Sequence, residues 1–362
     1  MATNFSSVPI LDYSLLSDSA TRPKFISDLQ NALINVGFFY ISRTPVVPED
    51  VEAVIRDAPK FFDLPAEEKE RIRMIHSPHF FGYSRFGAEL TKGKVDQREQ
   101  FDFGTLYEES YRPGDPEYRK LWGPSQWPDE KLLPGFKDTY VRYVQQVNKL
   151  GDELLTLIAE ALHLPSNAFS RFREPGGNQN RAKVVKYPVP EDDSSDQGVG
   201  PHFDGGFLTL LLQASPHRGL QVQNRAGEWI DAPPIPGTFV VNIGKALETV
   251  TQGVAIATSH RVISPAKGST PRYSIPFFQM ITQDLVIGKA VLDIPPDILA
   301  FKEARGKVAS DSVNYAEYNE LPAGQVALIG RVKSHPDVGQ QHYPDVFNKF
   351  FPDGLPAHGL AY

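Results

Sequence analysis

Pro201-His202-Phe203-Asp204-Gly205-Gly206-Phe207-Leu208-Thr209-Leu210-Leu211-Leu212 joins a pair of ligand-type side chains to an apolar run. Residues two apart on a β-strand point to the same face, so His202 and Asp204 aim at one point. Phe207 to Leu212 reads as a buried strand, which gives a metal ligand rigid support. Fifty-six positions after Asp204 stands His260, which only the fold can bring alongside. Two neutral imidazoles and one carboxylate leave a divalent metal with a net charge of about +1 and roughly three open coordination positions. That donor set is associated with non-haem Fe(II) oxygenases. His202, Asp204 and His260 are therefore the candidate catalytic metal ligands.

A second His-x-Asp, His335-Pro336-Asp337, reads differently. A proline between the two argues against a central strand, and Ser334 with Pro336 marks a turn or a helix start. Twelve positions after His260 begins Arg272-Tyr273-Ser274-Ile275-Pro276-Phe277-Phe278, a β-like run that holds the only Arg-x-Ser of the chain. Arg272 and Ser274 share a face. A guanidinium grips a carboxylate through two parallel hydrogen bonds and a hydroxyl adds a third, so this pair is a candidate carboxylate clamp on an adjacent strand.

The order and spacing of His202-x-Asp204, His260 and Arg272-x-Ser274 resemble the 2-oxoglutarate/Fe(II) dioxygenases of the plant and fungal type that includes isopenicillin N synthase. Gly219-Leu-Gln-Val-Gln, Gly227-Glu-Trp-Ile, Val241-Asn-Ile-Gly and Ser259-His-Arg-Val are similar to that family's core strands. Val8-Pro-Ile-Leu-Asp-Tyr and Gly37-Phe-Phe-Tyr-Ile are similar to its N-terminal region. The resemblance implies a mainly β fold with helical additions around a double-stranded β-helix, or jelly roll. It implies Fe(II), 2-oxoglutarate and O2 as cofactor and cosubstrates, with oxidative decarboxylation coupled to hydroxylation, desaturation or ring closure of a small metabolite, here expected in secondary metabolism. Tyr187 then joins Arg272 and Ser274 on the cosubstrate carboxylate, and Phe278 forms an apolar wall for substrate. Relatives often carry an asparagine where Val185 stands and an acidic residue where Lys245 stands. Tyr83 and Arg85 fall in the part that lies over the mouth of the site in relatives, and are candidate substrate contacts. Two alternatives stay open: an isopenicillin N synthase-like oxidase that uses no 2-oxoglutarate, its Arg272 and Ser274 holding the substrate's own carboxylate, and a noncatalytic jelly-roll binding protein.

Composition sets the wider bounds. The 362 residues, 41% hydrophobic, suffice for a β core with additions. A net charge of −7 gives no electrostatic case for nucleic acid or anionic membranes. Without cysteine there is neither disulfide nor thiolate metal site. The N-terminus lacks the basic flank and apolar core of a signal peptide, and no run has transmembrane length; the expectation is a cytoplasmic enzyme.

Four regions are expected: an N-terminal region over 1–125, a scaffold helix within 126–180, the jelly-roll core over 181–290 and a C-terminal tail over 291–362 that packs on the core. Apolar periodicity predicts helices over Thr21–Val36, ended by Gly37, after Pro48, over Pro65–Arg73 and, longest, over Asp129–Leu164. Strands are expected over Pro9–Tyr13, Phe38–Ser42, Ala182–Tyr187 and Thr238–Ile243, and a short helix over Gly244–Thr251. His76 and His79 read as surface histidines. Glu191–Gln197 reads as a mobile acidic loop. Pro295–Gly306, Tyr315–Asn319 and Asp345–Phe351 have helical character.

Overall fold

The computed structural model describes residues 4–91, 94–109, 111–190, 197–306 and 320–355. The strands, in chain order, are β1 (Ile10–Asp12), β2 (Phe38–Ser42), β3 (Gly82–Ser84), β4 (Leu90–Thr91), β5 (Lys94–Val95), β6 (Glu99–Gly104), β7 (Arg181–Tyr187), β8 (Gln197–His202), β9 (Leu208–Gln213), β10 (Leu220–Gln223), β11 (Trp229–Asp231), β12 (Thr238–Ile243), β13 (His260–Ile263) and β14 (Arg272–Gln279). The helices are α1 (Arg22–Asn35), α2 (Pro48–Phe62), α3 (Ala66–Arg71), α4 (Phe136–Ala161), α5 (Lys245–Val250), α6 (Pro296–Arg305), α7 (Ala323–Ser334), α8 (Pro336–His342) and α9 (Pro344–Phe350).

Alternation along the strands builds two layers. The large sheet runs β1-β2-β12-β9-β14-β7-β6-β3, and the small sheet runs β11-β10-β13-β8. Phe39, Ile41, Leu210, Val241, Ile275, Phe277 and Val184 face outward into the main core with α1, α2 and α4. Their neighbours Phe38, Tyr40, Val240, Val185 and Tyr187 face inward, against Val199, Leu220, Val222 and Val262 of the small sheet. The result is the jelly-roll sandwich, with β14 between β9 and β7 in the middle of the large sheet. Pro276 sits inside β14 where pairing with β7 skips Ile275 and Pro276, the place where a residue without an N–H does least harm.

Most expected elements form where their patterns place them. Gly37 takes φ +74° and donates its N–H to Ala32 O at 2.8 Å, the left-handed stop of α1. The scaffold helix begins at Phe136 rather than Asp129. Residues 129–135 close turns of their own, with the Asp129 carboxylate accepting from Lys131 N–H and Glu130 from Gly135 N–H. Tyr83, a candidate substrate contact, lies in β3, which pairs with β6, and β6 pairs with β7 along its length. His79 is buried and its Nδ1 faces Lys120 O at 2.6 Å, so it is no surface histidine. Asp345–Phe351 corresponds to α9, and α7 is an element the periodicity did not reveal. Tyr315–Asn319 and residues 191–196 of the acidic stretch lie outside the described residues.

Candidate active site

Between the two sheets lies a cavity of about 540 Å³, within the size range of small-molecule sites. His202 ends β8 and His260 begins β13; the two oppose each other in the small sheet, their ring centroids 4.2 Å apart. Asp204 does not continue β8. It lies just beyond the end of the strand, in residues 203–205 that belong to no regular element. The start of α5 holds it there: Lys245 N–H donates to Asp204 O at 2.8 Å and Ala246 N–H to Gly205 O at 3.2 Å. His202 Nε2 is 3.8 Å from Asp204 Oδ1, and His260 Nε2 is 3.9 Å from Oδ2. Ligand atoms of the three residues all fall within 4.8 Å of one another.

The surroundings prepare these groups for a cation. His202 Nδ1 faces Gly200 O at 2.8 Å and His260 Nδ1 faces Thr258 O at 3.3 Å. Each carbonyl takes an Nδ1 proton and leaves Nε2 as the free donor atom. Asp204 Oδ2 accepts from Thr209 Oγ1 at 2.5 Å and Asn242 Nδ2 at 2.7 Å. Burial, and then the neighbouring His202 ring, push His260 down to about 4, and burial pushes His202 down as well. Burial alone would raise Asp204; the two histidines and the bonds from Thr209 and Asn242 outweigh it and hold the carboxylate below its ordinary range. Neutral imidazoles and an ionised carboxylate are the forms a divalent metal takes.

Arg272, Ser274, Pro276 and Phe278 project from β14 into the same cavity, and Val185 and Tyr187 project from β7. In register, Arg272 opposes Tyr187 and Ser274 opposes Val185. Arg272 is 1% exposed. Its Nη2 donates to Gln213 Oε1 at 3.2 Å, while Nε and Nη1 have no hydrogen-bond partner. A buried guanidinium with two idle donors is costly unless an oxyanion completes it. Gly219 makes room for it: a Cβ there would stand 3.3 Å from Arg272 Cδ and Nε and 2.7 Å from Ile263 O. The residues thus fit both a metal and a carboxylate-bearing cosubstrate.

Phe278 lines the cavity with Phe203, Met280, Val326 and Ala327. Tyr83 and Arg85 do not line it. Tyr83 is buried in the main core and donates to Glu99 Oε2 at 2.8 Å; Arg85 grips Glu70 through Nε at 2.7 Å. Their region reaches the cavity instead through Glu89, Thr91 and Arg98. Lys245 is not among the cavity-lining residues; it ion-pairs with Glu248 and lies over the Phe203 ring at 5.4 Å. His335-Pro336-Asp337 joins α7 to α8 and carries no ligand set; Asp337 lies 3.7 Å from Arg73. Sequence reasoning missed Thr209, Asn242 and Gln213. Their only signal was polarity inside otherwise apolar strand runs, where a buried polar group calls for a partner.

Most of the chain is similar to known proteins. Residues 8–130 match the N-terminal region of non-haem dioxygenases of the kind found in morphine synthesis, and residues 178–281 match the 2OG-Fe(II) oxygenase superfamily. The 2-oxoglutarate-dependent dioxygenase frbJ of Dothideomycetidae sp. (strain 11243) is 44% identical over 355 residues, covering 95% of this chain and 94% of that protein. A homoarginine-6-hydroxylase of Glycine max is 36% identical, covering 79% and 89%. The crystal structure of a full-length Neurospora crassa protein in complex with alpha-KG and thymine superposes with a TM-score of 0.68 at 28% identity, covering 88% of this chain and 96% of that one.

Proposed function

The chain belongs to the 2-oxoglutarate/Fe(II) oxygenase superfamily, and from that premise we propose that the cavity between its sheets is the catalytic site. In this reading His202, Asp204 and His260 hold the iron, and Arg272, Ser274 and Tyr187 hold the far carboxylate of 2-oxoglutarate. The enzyme is an Fe(II)/2-oxoglutarate-dependent dioxygenase that couples decarboxylation of the cosubstrate to oxidation of a small molecule. The observation that carries the residue assignment is Arg272: buried, facing the cavity, with Nε and Nη1 unpartnered.

When bound, iron and 2-oxoglutarate supply dioxygen activation, with succinate and carbon dioxide as the cosubstrate's products. The chain supplies orientation. The carbonyls of Gly200 and Thr258 fix the histidine tautomers, and Thr209 with Asn242 fixes the Asp204 carboxylate. Phe203, Phe278, Met280 and Val326 give the reacting space an apolar wall that excludes water.

The substrate assigned here is a small, amino-acid-derived metabolite of secondary metabolism. Support comes from the cavity size and from relatives named for homoarginine hydroxylation. The four regions, 1–125, 126–180, 181–290 and 291–362, are assigned to one working unit, because α7 of the last region lines the cavity with strands of the third. Among the described residues no helix is long and apolar enough to cross a membrane; a cytoplasmic setting is part of the proposal.

Adding Fe(II) and then 2-oxoglutarate to metal-free protein without oxygen tests the assignment. A visible charge-transfer band is expected in the parent protein and is expected to be lost in Arg272→Ala at the same 2-oxoglutarate concentration. An undiminished band in that variant removes Arg272 from the clamp.

A further inference from the structure

The cavity has a second cationic end. On β7, Tyr187, Val185 and Lys183 share the inner face, and all three line the cavity. Lys183 lies four residues from Tyr187, roughly 13 Å along an extended strand. It is therefore well removed from the Arg272 end. Lys183 is 5% exposed. Its ammonium has three donors but makes one long hydrogen bond, to Gln100 Oε1 at 3.3 Å. Glu89 is 3.5 Å away and Asp102, its direct partner across β6, is 3.7 Å away.

From the other side α7 brings Arg331 to the same place. Its Nη1 is 3.8 Å from Asp102 Oδ1, and among the described residues its side chain makes no hydrogen bond. Asp102 itself is fully buried, and neither carboxylate oxygen has a hydrogen-bond partner. One carboxylate thus stands behind two cations at distances too long to satisfy either. Glu89 shares its charge between two cations: its Oε2 accepts from Arg98 at 2.6 Å and stands 3.5 Å from the Lys183 ammonium, too far for a hydrogen bond of ordinary length. A buried ammonium and a half-buried guanidinium with idle donors, both lining a ligand-sized space, call for an oxyanion.

We infer that Lys183 and Arg331 dock a carboxylate of the substrate, with Asp102 positioning both from behind. The cavity then holds two acids at once, 2-oxoglutarate on Arg272 and the substrate on Lys183 and Arg331, with the apolar wall of Phe278 and Met280 between. This rests on the reading of the cavity as the active site.

The test uses protein loaded anaerobically with Fe(II) and 2-oxoglutarate, and follows its melting temperature with each proteinogenic L-amino acid, with L-homoarginine, and with the matching α-amides. At least one acid is expected to raise the melting temperature while its amide does not. In Lys183→Met and in Arg331→Gln, binding of that acid measured by calorimetry should weaken about tenfold or more. The charge-transfer band of the bound cosubstrate should persist in both. Should Lys183→Met not fold, Lys183→Met with Asp102→Asn removes the stranded charge. The inference is overturned if none of the acids binds, if amides bind as well as acids, or if both variants keep parental affinity. Loss of the band in the parent protein would instead bring down the underlying active-site reading.

Discussion

Arg272 lies over the ring of Tyr187, its guanidinium carbon 5.0 Å from the ring centroid, and the two residues oppose each other across β14 and β7. The stack helps to fix the plane of the guanidinium. Arg272→Gln keeps a polar group but loses the fork and the charge. The 2-oxoglutarate concentration for half-maximal succinate formation should rise at least tenfold, as expected for loss of charge-assisted hydrogen bonds. Iron content per protein should not change. An unaltered cosubstrate requirement would show that the clamp lies elsewhere.

Gly219 offers an independent probe of the same clamp. Its backbone is at φ +156°, and an added Cβ would meet Ile263 O at 2.7 Å and Arg272 Nε at 3.3 Å. Gly219→Ala should therefore shift β10 or tilt the guanidinium. The expected result is a several-fold weaker response to 2-oxoglutarate with iron binding retained, read by the same absorption titration. Parental 2-oxoglutarate affinity in a folded Gly219→Ala protein would refute the cradle.

Asn242 and Thr209 both donate to Asp204 Oδ2. Removing one leaves the carboxylate freer to rotate away from the histidines. Asn242→Ala or Thr209→Val should weaken Fe(II) binding about 10–100-fold, the usual effect of losing such a support. His202→Ala, Asp204→Ala and His260→Ala should abolish stoichiometric iron. Competition with a chelator of known affinity measures both. Full iron occupancy in all three alanine variants would dismantle the triad.

The legible part of this site was what short spacing or long apolar runs encode. Arg272 and Ser274 stand two apart on a strand, and the burial pattern of β14 follows. Phe38–Ser42 and Thr238–Ile243 are strands with the expected boundaries. The spacing of Asp204 from His202 suggests one strand for both, whereas β8 ends at His202 and the first residue of α5 holds the Asp204 carbonyl. Lys183 was hidden in ordinary strand alternation, because nothing local says that the face it occupies is a cavity wall. Its neighbours Asp102 and Arg331 come from β6 and α7, far away in the chain, and only tertiary folding joins them. Tyr83 and Arg85 lie off the cavity wall, since aromatic and basic composition cannot tell a cavity face from the face that packs on Phe61 and Glu70. In α7, apolar residues line the cavity on one side and pack on Tyr118 and α9 on the other, which blurs the single-stripe pattern.

His335, behind the second cationic end, ties acid stability to this part of the molecule. It is 2% exposed, its Nδ1 lies 3.0 Å from Ser334 Oγ, and its Nε2 has no partner. Burial is the main cause of its shift; Glu89 pulls it up, Lys183, Arg331 and Arg98 push it down, and it settles at about 3 against an ordinary 6.5. The unfolded chain takes up this proton below pH 6.5, and the folded chain does not until about pH 3. Between these values the unfolded state binds more protons, so stability falls as the pH falls. At pH 5 the loss from this one group is about 2 kcal/mol relative to pH 7.5. Urea unfolding of the parent and of His335→Gln at several pH values separates it from other groups, since both proteins share the remaining histidines. The variant should lose less stability than the parent between pH 7.5 and pH 5. Equal losses in the two proteins would mean that His335 is protonated in the folded state, and that its buried surroundings tolerate another positive charge beside Lys183 and Arg331.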